Sequence, residues 1–271
     1  MASPPVYHRR VLDLHCHILP GIDDGPADIE GSVGLARELA AQEVGTVAAT
    51  PHCRPDHPGV VPSELAGRCR QLNERLADEG VGLRALPAGE VDLLWGLEAS
   101  DEELRLVSYG QRGDTLLLET PYGPLPTVFE ELVFGLTVKG FRLLLAHPER
   151  NPSFREDPQR LAELVRRGLL VQVTATSLIH SPKRSRSAAM ARKLVGDGLA
   201  HVIASDSHGP AAPDRASLRD GALAAVELVG KPRTRWLVID VPAAIVAGEP
   251  LPPAPPARQV KRPLLGRLGR S

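Results

Sequence analysis

Histidine and acidic residues recur directly after short apolar runs of this sequence, and these residue types can bind metal ions or transfer protons. Six runs are followed by such residues, in the motifs HCH (15–17), TPH (50–52), GE (89–90), E (119), HPER (147–150) and SDSH (205–208). A seventh run is followed by Thr174 and Ser177 instead. Each motif alone is common, but their recurrence predicts one shared site. Burying so many charged groups together would be costly without cations, so we predict a metal centre.

The types of candidate ligand indicate which ions would bind. Imidazole and carboxylate groups without thiolates favour Mn²⁺, Fe or Zn²⁺ over Ca²⁺ or a structural cysteine–zinc site. The candidate ligands outnumber what one ion takes, so we expect two or three divalent ions. Such clusters lower the pKa of water and neutralise the oxygens of a phosphoester. Arg150 lies three residues after His147, where its guanidinium would bind phosphate; the alternative is a surface ion pair with Glu149 or Asp157.

The apolar runs themselves predict the strands that position these residues. They cover 11–14, 46–49, 83–87, 115–118, 142–145, 170–173 and 201–204. Most are continuously apolar, which is typical of parallel strands buried on both faces. Helical patterns fill the gaps at 29–43, 63–79, 126–139, 158–167 and 188–197, and the last three end before Gly140, Gly168 and Gly198. Repeated strand–helix units predict an α/β fold with a closed or nearly closed seven-stranded barrel, whose site lies at the carboxyl ends of the strands.

The composition excludes several other classes of function. In 271 residues, 32 Lys and Arg balance 33 Asp and Glu, and 3% of residues are aromatic, so we expect no nucleic-acid binding. No run approaches the roughly 18 apolar residues of a membrane helix, so we expect no membrane insertion. The opening MASPPVYHRR has no apolar core of a signal peptide behind it, and three cysteines cannot all pair. These features predict reduced thiols and a cytoplasmic location.

Two regions of the chain differ in composition. Residues 1–248 are expected to form one domain, the barrel. Residues 249–271, EPLPPAPPARQVKRPLLGRLGRS, are rich in proline and basic residues and predict a tail without fixed structure. The alternative is a tail that docks on a partner or on a membrane surface.

Taken in order, the motifs resemble those of a known enzyme family. The segments DLHCHILPGIDDG, ATPH, AGEVDL, LLLETP, AHPERN and ASDSHG, spread over 11–208, resemble the PHP-domain protein-tyrosine phosphatases of bacterial capsule and exopolysaccharide operons, the CpsB/YwqE kind. The resemblance implies a distorted seven-stranded (β/α)7 barrel of the PHP type that holds up to three ions, with manganese first and iron or zinc as alternatives. It also implies a substrate, a tyrosine-phosphorylated bacterial kinase of the capsule or exopolysaccharide system.

The resemblance further implies a role for individual residues. The first metal would be held by His15, His17, Glu90 and Asp206, the second by Glu119 and His147 with Glu90 bridging, and the third by Asp24, His52 and His208. Arg150 would bind the phosphate, and Arg215 is the candidate for a second phosphate-binding arginine. In that mechanism a metal-bound hydroxide attacks phosphorus in line and tyrosine leaves. The segment 176–184 departs from the family pattern because it lacks the expected glycine.

Four alternatives compete with this interpretation. Within the phosphoesterases the runner-up is a small-molecule phosphatase of the histidinol-phosphatase type. An amidohydrolase shares the HxH motif but commonly needs a lysine at the fourth strand, where this chain has Glu119. A cysteine phosphatase would use Cys69 and Arg75, which have the required spacing but lie in a helical pattern without glycine. A metal-free binding module would have no reason to keep all nine candidate ligands.

Overall fold

The computed structural model describes residues 11–210 and 218–256, and within them parallel strands alternate with helices. The strands are β1 (Val11–Cys16), β2 (Val44–Ala49), β3 (His52–Cys53), β4 (Arg84–Pro87), β5 (Glu90–Val91), β6 (Thr115–Leu118), β7 (Arg142–Leu145), β8 (Leu170–Thr174) and β9 (Val202–Ala204). Every pairing between these strands is parallel, so the predicted α/β class with a parallel sheet is confirmed.

Helices occupy the connections between the strands. They are α1 (Ile29–Ala41), α2 (Leu65–Asp78), α3 (Leu93–Glu98), α4 (Asp101–Leu106), α5 (Phe129–Val138), α6 (Pro152–Glu156), α7 (Pro158–Arg166), α8 (Ala175–Ile179), α9 (Arg186–Gly196), α10 (Leu218–Val229), α11 (Lys231–Arg235) and α12 (Val241–Ala247). Short 3₁₀ turns cover Pro62–Glu64, Tyr109–Gln111 and Pro148–Arg150, and a π-helical turn covers Trp236–Asp240. Among the described residues, none of these helices has the length and apolar character needed to span a membrane.

The strands form two sheets rather than the single predicted one. One sheet has the order β1-β2-β4 and the other the order β3-β5-β6-β7-β8-β9. The carboxyl end of β1 also meets the segment after β9, through a parallel bridge between Cys16 and Ser207 and a hydrogen bond from the Asp206 N–H to the His15 carbonyl. The ends of the first and last strands therefore lie side by side.

The division into two sheets has a local cause at Thr50 and Pro51. The Thr50 hydroxyl, rather than a backbone carbonyl, accepts the hydrogen bond of the Cys16 N–H. Pro51 has no N–H to donate, so the ladder loses a hydrogen bond there, although its carbonyl still accepts from the Glu90 N–H. The chain resumes as β3 three residues after β2 ends, and β5 likewise follows β4 after Ala88 and Gly89.

The predicted strands and helices agree closely with the observed ones. All seven predicted strands are present, and 115–118 and 142–145 have the predicted bounds. All five predicted helices are present, and the glycines that end three of them, Gly140, Gly168 and Gly198, adopt positive φ angles as C-terminal caps require. The sequence patterns missed the short helices α3, α4, α6 and α8, which are each six residues or fewer. They also predicted no helix after residue 197, where the structure has α10, α11 and α12.

Helix α5 buries a different face from the predicted one. The pattern predicts that Val128 packs inward with Leu132 and Leu136. In the structure Phe129 and Val133 accompany those two leucines, while Val128 is 40% exposed. Because Phe129 is the larger apolar side chain, rotating the helix to bury it removes more apolar area from water.

The described part of the predicted tail, residues 249–256, contacts the domain. The guanidinium of Arg142 donates to the carbonyl of Glu249, and the Trp236 indole N–H donates to the carbonyl of Pro252 at 2.9 Å. The carbonyl of Pro255 accepts from Arg233, whose guanidinium also lies over the Trp236 ring. Residues 257–271 of the predicted tail lie outside the described residues.

We predict that Gly221→Ala destabilises the fold, because α10 approaches α8 closely at this residue. A Cβ atom there would lie 2.6 Å from the Cβ of Ala175, which forces the helices apart. The free energy of unfolding should fall by about 1–3 kcal/mol, measured by chemical denaturation. Gly67→Ala in α2 is the matched control, since its Cβ would meet only the Arg70 guanidinium at 3.7 Å. An unchanged midpoint for Gly221→Ala would contradict this packing.

Candidate metal centre

The nine predicted ligand residues lie together at the carboxyl ends of the strands. Their ligand atoms form four overlapping groups, each within 4.8 Å, namely His17, Asp24, His52 and His208; His15, His147 and Asp206; His15, His17 and Glu90; and His52, Glu90 and Glu119. Seven of the nine residues are buried, His208 is partly buried and Asp24 is exposed. The structure therefore brings together residues from seven separate segments of the chain.

Glu90 lies at the centre of this cluster. Its side chain is fully buried, and its Oε2 atom lies 3.2 Å from Nε2 of His15, 3.5 Å from Nε2 of His17 and 3.0 Å from Nδ1 of His52. Its other oxygen, Oε1, lies 3.0 Å from Nε2 of His147. One carboxylate thus contacts four imidazoles, which fits the bridging position that the family resemblance implies for it.

The protonation of His15 follows from its contact with Gln172. The backbone N–H of His147 can only donate, so the Gln172 atom that it contacts must be the amide oxygen Oε1. Nδ1 of His15 lies 3.1 Å from the same oxygen and must therefore donate to it. This leaves the lone pair of a neutral His15 on Nε2, which faces Glu90 and Asp206.

His17 and His208 are oriented in the same way. Nδ1 of His17 donates to the Asp23 carboxylate at 2.7 Å, and Nδ1 of His208 donates to the backbone carbonyl of Asp206 at 2.9 Å. In both residues Nε2 then faces the cluster. An imidazole that donates one N–H to an oxygen and turns its other nitrogen inward has the typical arrangement of a metal-binding histidine.

These orientations test whether the residues fit a metal. Nε2 of His15 and Nε2 of His17 lie 3.2 Å apart, although neutral rings in these tautomers would each present a lone pair to the other. Both also face carboxylate oxygens of Glu90 and Asp206. A cation between them removes this repulsion, so the donor set fits divalent metal ions. The grouping differs from the implied one. Glu119 lies with His52 and Glu90 rather than with His147, His147 lies with His15 and Asp206, and His17 also lies with Asp24, His52 and His208.

The electrostatics of the cluster also favour cations. Burial alone would raise the pKa of Glu90 and Asp206, but the neighbouring histidines, and Arg150 for Asp206, hold both pKa values well below the ordinary range. Burial lowers the pKa of His52, yet hydrogen bonds with Glu119 and Glu90 outweigh it and raise the pKa to about 10. The carboxylates are therefore ionised, and the site has a strong affinity for positive charge.

Arg150 lies on the same rim. It ends the 3₁₀ turn Pro148–Arg150 that follows β7, and its Nη1 lies 2.7 Å from Oδ2 of Asp206. Its neighbour Glu149 points into the protein instead, where it accepts a hydrogen bond from the Thr174 N–H at 2.9 Å. The guanidinium is about one quarter exposed, so it is held at the cluster and still reaches solvent.

Two of the cluster residues have strained backbones. His147 has φ 36° and Asp206 has φ 56°, in the left-handed region that residues other than glycine rarely adopt. Each such residue costs about 1–3 kcal/mol, and strain of this kind concentrates at functional sites. The strain turns the two side chains toward Glu90 and Arg150 immediately after their strands end.

The residues that orient the ligands were not among the predicted site residues. Asp23 accepts from His17 and also from the backbone N–H of His52, and Gln172 contacts both His15 and His147. Asp13 is fully buried below the cluster, where burial raises its pKa to about 6 while hydrogen bonds from Ser205 oppose the shift. The paired aspartates of the DDG motif were one available signal, since only one of them was needed as a ligand.

Arg54 was also missed and lies beside the cluster. Its Nη1 contacts the Glu119 carboxylate at 3.2 Å, and its other nitrogens bind Asp56. Arg54, Asp56 and Glu119, with Pro55, Asp92, Pro121 and Tyr122, line an open cleft of about 360 Å³. This cleft leads from solvent to one of the predicted metal ligands.

Other predictions fall outside the site or outside the described residues. Arg215 belongs to residues 211–217, which the structure does not describe. In segment 176–184, α8 ends at Ile179 and the following residues are exposed. Cys69 is buried within α2, and burial raises the pKa of its thiol to about 12, so it is not a nucleophile at neutral pH.

The chain is similar to known proteins over most of its length. The chain matches the family described as capsular polysaccharide synthesis, CpsB/CapC, over residues 11–247. It is 36% identical over 203 residues to tyrosine-protein phosphatase YwqE of Bacillus subtilis (strain 168), which covers 73% of this chain and 77% of that protein. It is 25% identical over 212 residues to tyrosine-protein phosphatase CpsB of Streptococcus pneumoniae, covering 73% of this chain and 83% of that protein.

Solved structures give the same relationship. A crystal structure described as YwqE from Bacillus subtilis and CpsB from Streptococcus pneumoniae, unique metal-dependent tyrosine phosphatases, superposes with a TM-score of 0.78 at 29% identity, covering 93% of this chain and all of that chain. An organophosphorus hydrolase variant from Deinococcus radiodurans has a TM-score of 0.54 at 18% identity, covering 90% of this chain and 95% of that chain, which is a similarity of fold alone. Because the family match spans nearly all described residues, this chain belongs to the CpsB/CapC family of capsular polysaccharide synthesis.

Proposed function

We propose that this chain is a metal-dependent protein-tyrosine phosphatase that does not use a cysteine nucleophile. The observation that carries the proposal is the convergence of four imidazoles on the buried Glu90 carboxylate, with Arg150 on the same rim. The names of its relatives support the substrate class, since YwqE and CpsB are tyrosine-protein phosphatases. The buried Cys69 supports the exclusion of a cysteine mechanism.

The proposed metal ligands are the nine residues of the cluster. They are His15, His17, Asp24, His52, Glu90, Glu119, His147, Asp206 and His208, which would hold two to three divalent ions. Manganese is proposed first because the imidazole–carboxylate mixture suits it, and iron or zinc are the alternatives. When bound, such ions supply a water of lowered pKa and neutralise phosphate oxygens.

The chain's own residues would bind and orient the phosphate. The guanidinium of Arg150 offers a planar set of N–H donors that matches the oxygens of a phosphate group. Its contact with Asp206 fixes it beside the cluster, so little conformational entropy is lost when phosphate binds. Asp23 and Gln172 hold His17 and His15 in the tautomers that turn their lone pairs inward.

The open cleft supports a phosphotyrosine carried by a protein rather than an enclosed small molecule. Its residues Pro121 and Tyr122 lie near Glu119, and Tyr122 is 67% exposed. An aromatic ring at this position has room to leave the cluster toward solvent. We propose a tyrosine-phosphorylated kinase of the capsule or exopolysaccharide system as the physiological substrate, which the family's role in capsular polysaccharide synthesis supports.

We further infer that the two sheets act as one distorted seven-stranded barrel. The two-residue strands β3 and β5 continue β2 and β4, and the end of β1 contacts the segment after β9.

A cytoplasmic location is proposed from Cys16, Cys53 and Cys69, which are all free thiols.

Metal removal is the first test of this function. Treatment with a chelator should abolish hydrolysis of a phosphotyrosine peptide, and added Mn²⁺ should restore it, because the lone pairs around Glu90 need a cation. The restored enzyme should prefer the phosphotyrosine peptide to histidinol phosphate in kcat/KM. Cys69→Ala is the control and should remain active. Loss of activity in Cys69→Ala, or a preference for histidinol phosphate, would contradict the proposal.

Replacing the central carboxylate should disable the site. Glu90→Gln keeps the shape but removes the charge, so both metal content and kcat/KM should fall. The loss should be at least about a hundredfold, the upper end of what removing an outer partner of a metal ligand costs. His180→Ala, an exposed residue after α8, is the control. Metal content is measured by mass spectrometry of the purified protein, and similar small effects in the two variants would remove Glu90 from the centre.

Arg150→Ala should weaken binding of the transition state while leaving the metal content unchanged. We expect kcat/KM to fall by about a hundred- to a thousandfold, as when one donor to a developing negative charge is removed. Arg160→Ala is a suitable control, since Arg160 is paired with Glu130 on α5, outside the ligand cluster. Full activity in Arg150→Ala would show that the guanidinium does not contact the phosphate.

A further inference from the structure

Exposed apolar residues concentrate on one side of the described protein. Nine large hydrophobic side chains are exposed among the described residues, and five of them lie on or next to helices α3 and α5. These five are Leu94, Leu97, Val128, Phe134 and Val138. Phe134 and Val138 are each 69% exposed, although a monomer gains by burying such groups. Contiguous apolar surface of this kind marks an interaction site.

Helix α5 presents these residues as one outward face. Its inward face is Phe129, Leu132, Val133 and Leu136. Its outward face is formed by exposed residues that are adjacent or lie three to four positions apart. They are Val128, Glu131, Phe134, Gly135, Val138 and Lys139. The helix is therefore apolar on both sides, which is typical of a helix covered from both sides.

Gly135 in the middle of this face has no explanation within the chain. A Cβ atom at this position would meet nothing within 4 Å, so the fold itself does not require glycine. Glycine destabilises a helix interior relative to alanine. Its absence of a side chain allows another helix to approach closely, which gives the residue a role only when a partner is present.

The surface around Gly135 has both a ridge and a groove. Leu97 of α3 and Val128 border a groove of about 320 Å³ whose other lining residues include Gly135 and Lys139. Phe134 is exposed on the other side of Gly135, where it lines a second recess with Glu130 and Thr137. Two copies related by a two-fold rotation, as in symmetric dimers, bring the projecting side chains on the same side of Gly135 into contact with each other.

The charges on α5 select an antiparallel copy of the same helix as the partner. Glu131 lies four residues before Gly135 and Lys139 four residues after it. With a rise of about 1.5 Å per residue, each lies about 6 Å along the axis from Gly135. An antiparallel pair centred on Gly135 therefore places each Glu131 opposite the other copy's Lys139. Lys139 already pairs with Asp101 at 2.8 Å, so its ammonium lies at this surface.

We propose that two copies of this chain form a two-fold symmetric dimer through α5, with the helices antiparallel and crossing at Gly135. Phe134 of each copy packs against Phe134 and Val138 of the other, on the same side of Gly135. The two Glu131–Lys139 pairs fix the register at the edges of the apolar contact. The proposal does not depend on the catalytic activity.

The mass of the full-length protein in solution tests the dimer. Light scattering after size exclusion, over a series of protein concentrations, should give twice the mass of one chain for the wild type. Phe134→Glu should give the mass of one chain, with phosphatase activity per chain unchanged. Leu223→Glu on α10, which removes another exposed apolar side chain elsewhere, should remain dimeric. A wild type with the mass of one chain at every concentration, or a dimer that survives Phe134→Glu, would overturn the proposal.

A charge exchange tests the register and the identity of the partner. Glu131→Lys alone and Lys139→Glu alone should each weaken the dimer by about tenfold or more, while the double variant should restore it, because each swapped residue meets its swapped counterpart. Gly135→Leu should abolish the dimer without lowering the thermal midpoint of the chain, since its side chain has open space. Equal dissociation in the single and double charge variants, or a dimeric Gly135→Leu, would refute the antiparallel α5 contact.

Discussion

The burial of the Glu90 carboxylate is the constraint on which the site depends. A fully buried ionised group is costly unless it is paired and hydrogen-bonded, and four imidazoles meet this requirement. They come from the ends of three strands, with His15 and His17 both from β1, so the parallel order of the sheets is what brings them to one carboxylate. The pairing of β3 with β5, which places His52 opposite Glu90, is the most direct example. The parallel order of the strands therefore determines both the fold and the charge compensation of Glu90.

The same residues are held in place at an energetic cost. His147 and Asp206 adopt left-handed backbone conformations, and a structure keeps such strain only where its surroundings impose it. Gln172 supplies part of this support, because one amide oxygen fixes both the backbone of His147 and the ring of His15. The strained backbone at the strand ends lowers the stability of the fold. It also holds the ligand atoms in their orientation toward the cluster, whether or not an ion is bound. The large apolar core of the two sheets and their helices offsets this loss.

Patterns along the chain predicted the elements whose signals are local. Continuous apolar runs located the strands, and a glycine after each of three helices located its end. The orienting residues were missed because their roles depend on contacts across the chain: Gln172 is 157 residues from His15, and no spacing rule connects them. The inward face of α5 was also misjudged, since a helix that is apolar on both sides gives no clear periodicity. Local sequence patterns thus predict which helices and strands form, and long-range contacts decide how their side chains are oriented.

The residues of the site, rather than the architecture of the fold, indicate the function of this chain. A barrel-like arrangement of parallel strands supports many hydrolases, so the architecture alone does not choose among them. The residues at the ends of the strands distinguish between these hydrolase activities. The end of β6 carries Glu119 rather than a lysine, which disfavours the amidohydrolase arrangement, and Glu119 lies within a cluster of imidazoles and carboxylates. The turn after β7 then adds Arg150, a fork of N–H donors aimed at the same rim. Arg150 contacts Asp206 through Nη1, and its planar set of N–H donors matches a phosphate group, whose oxygens would also approach ions held by the cluster.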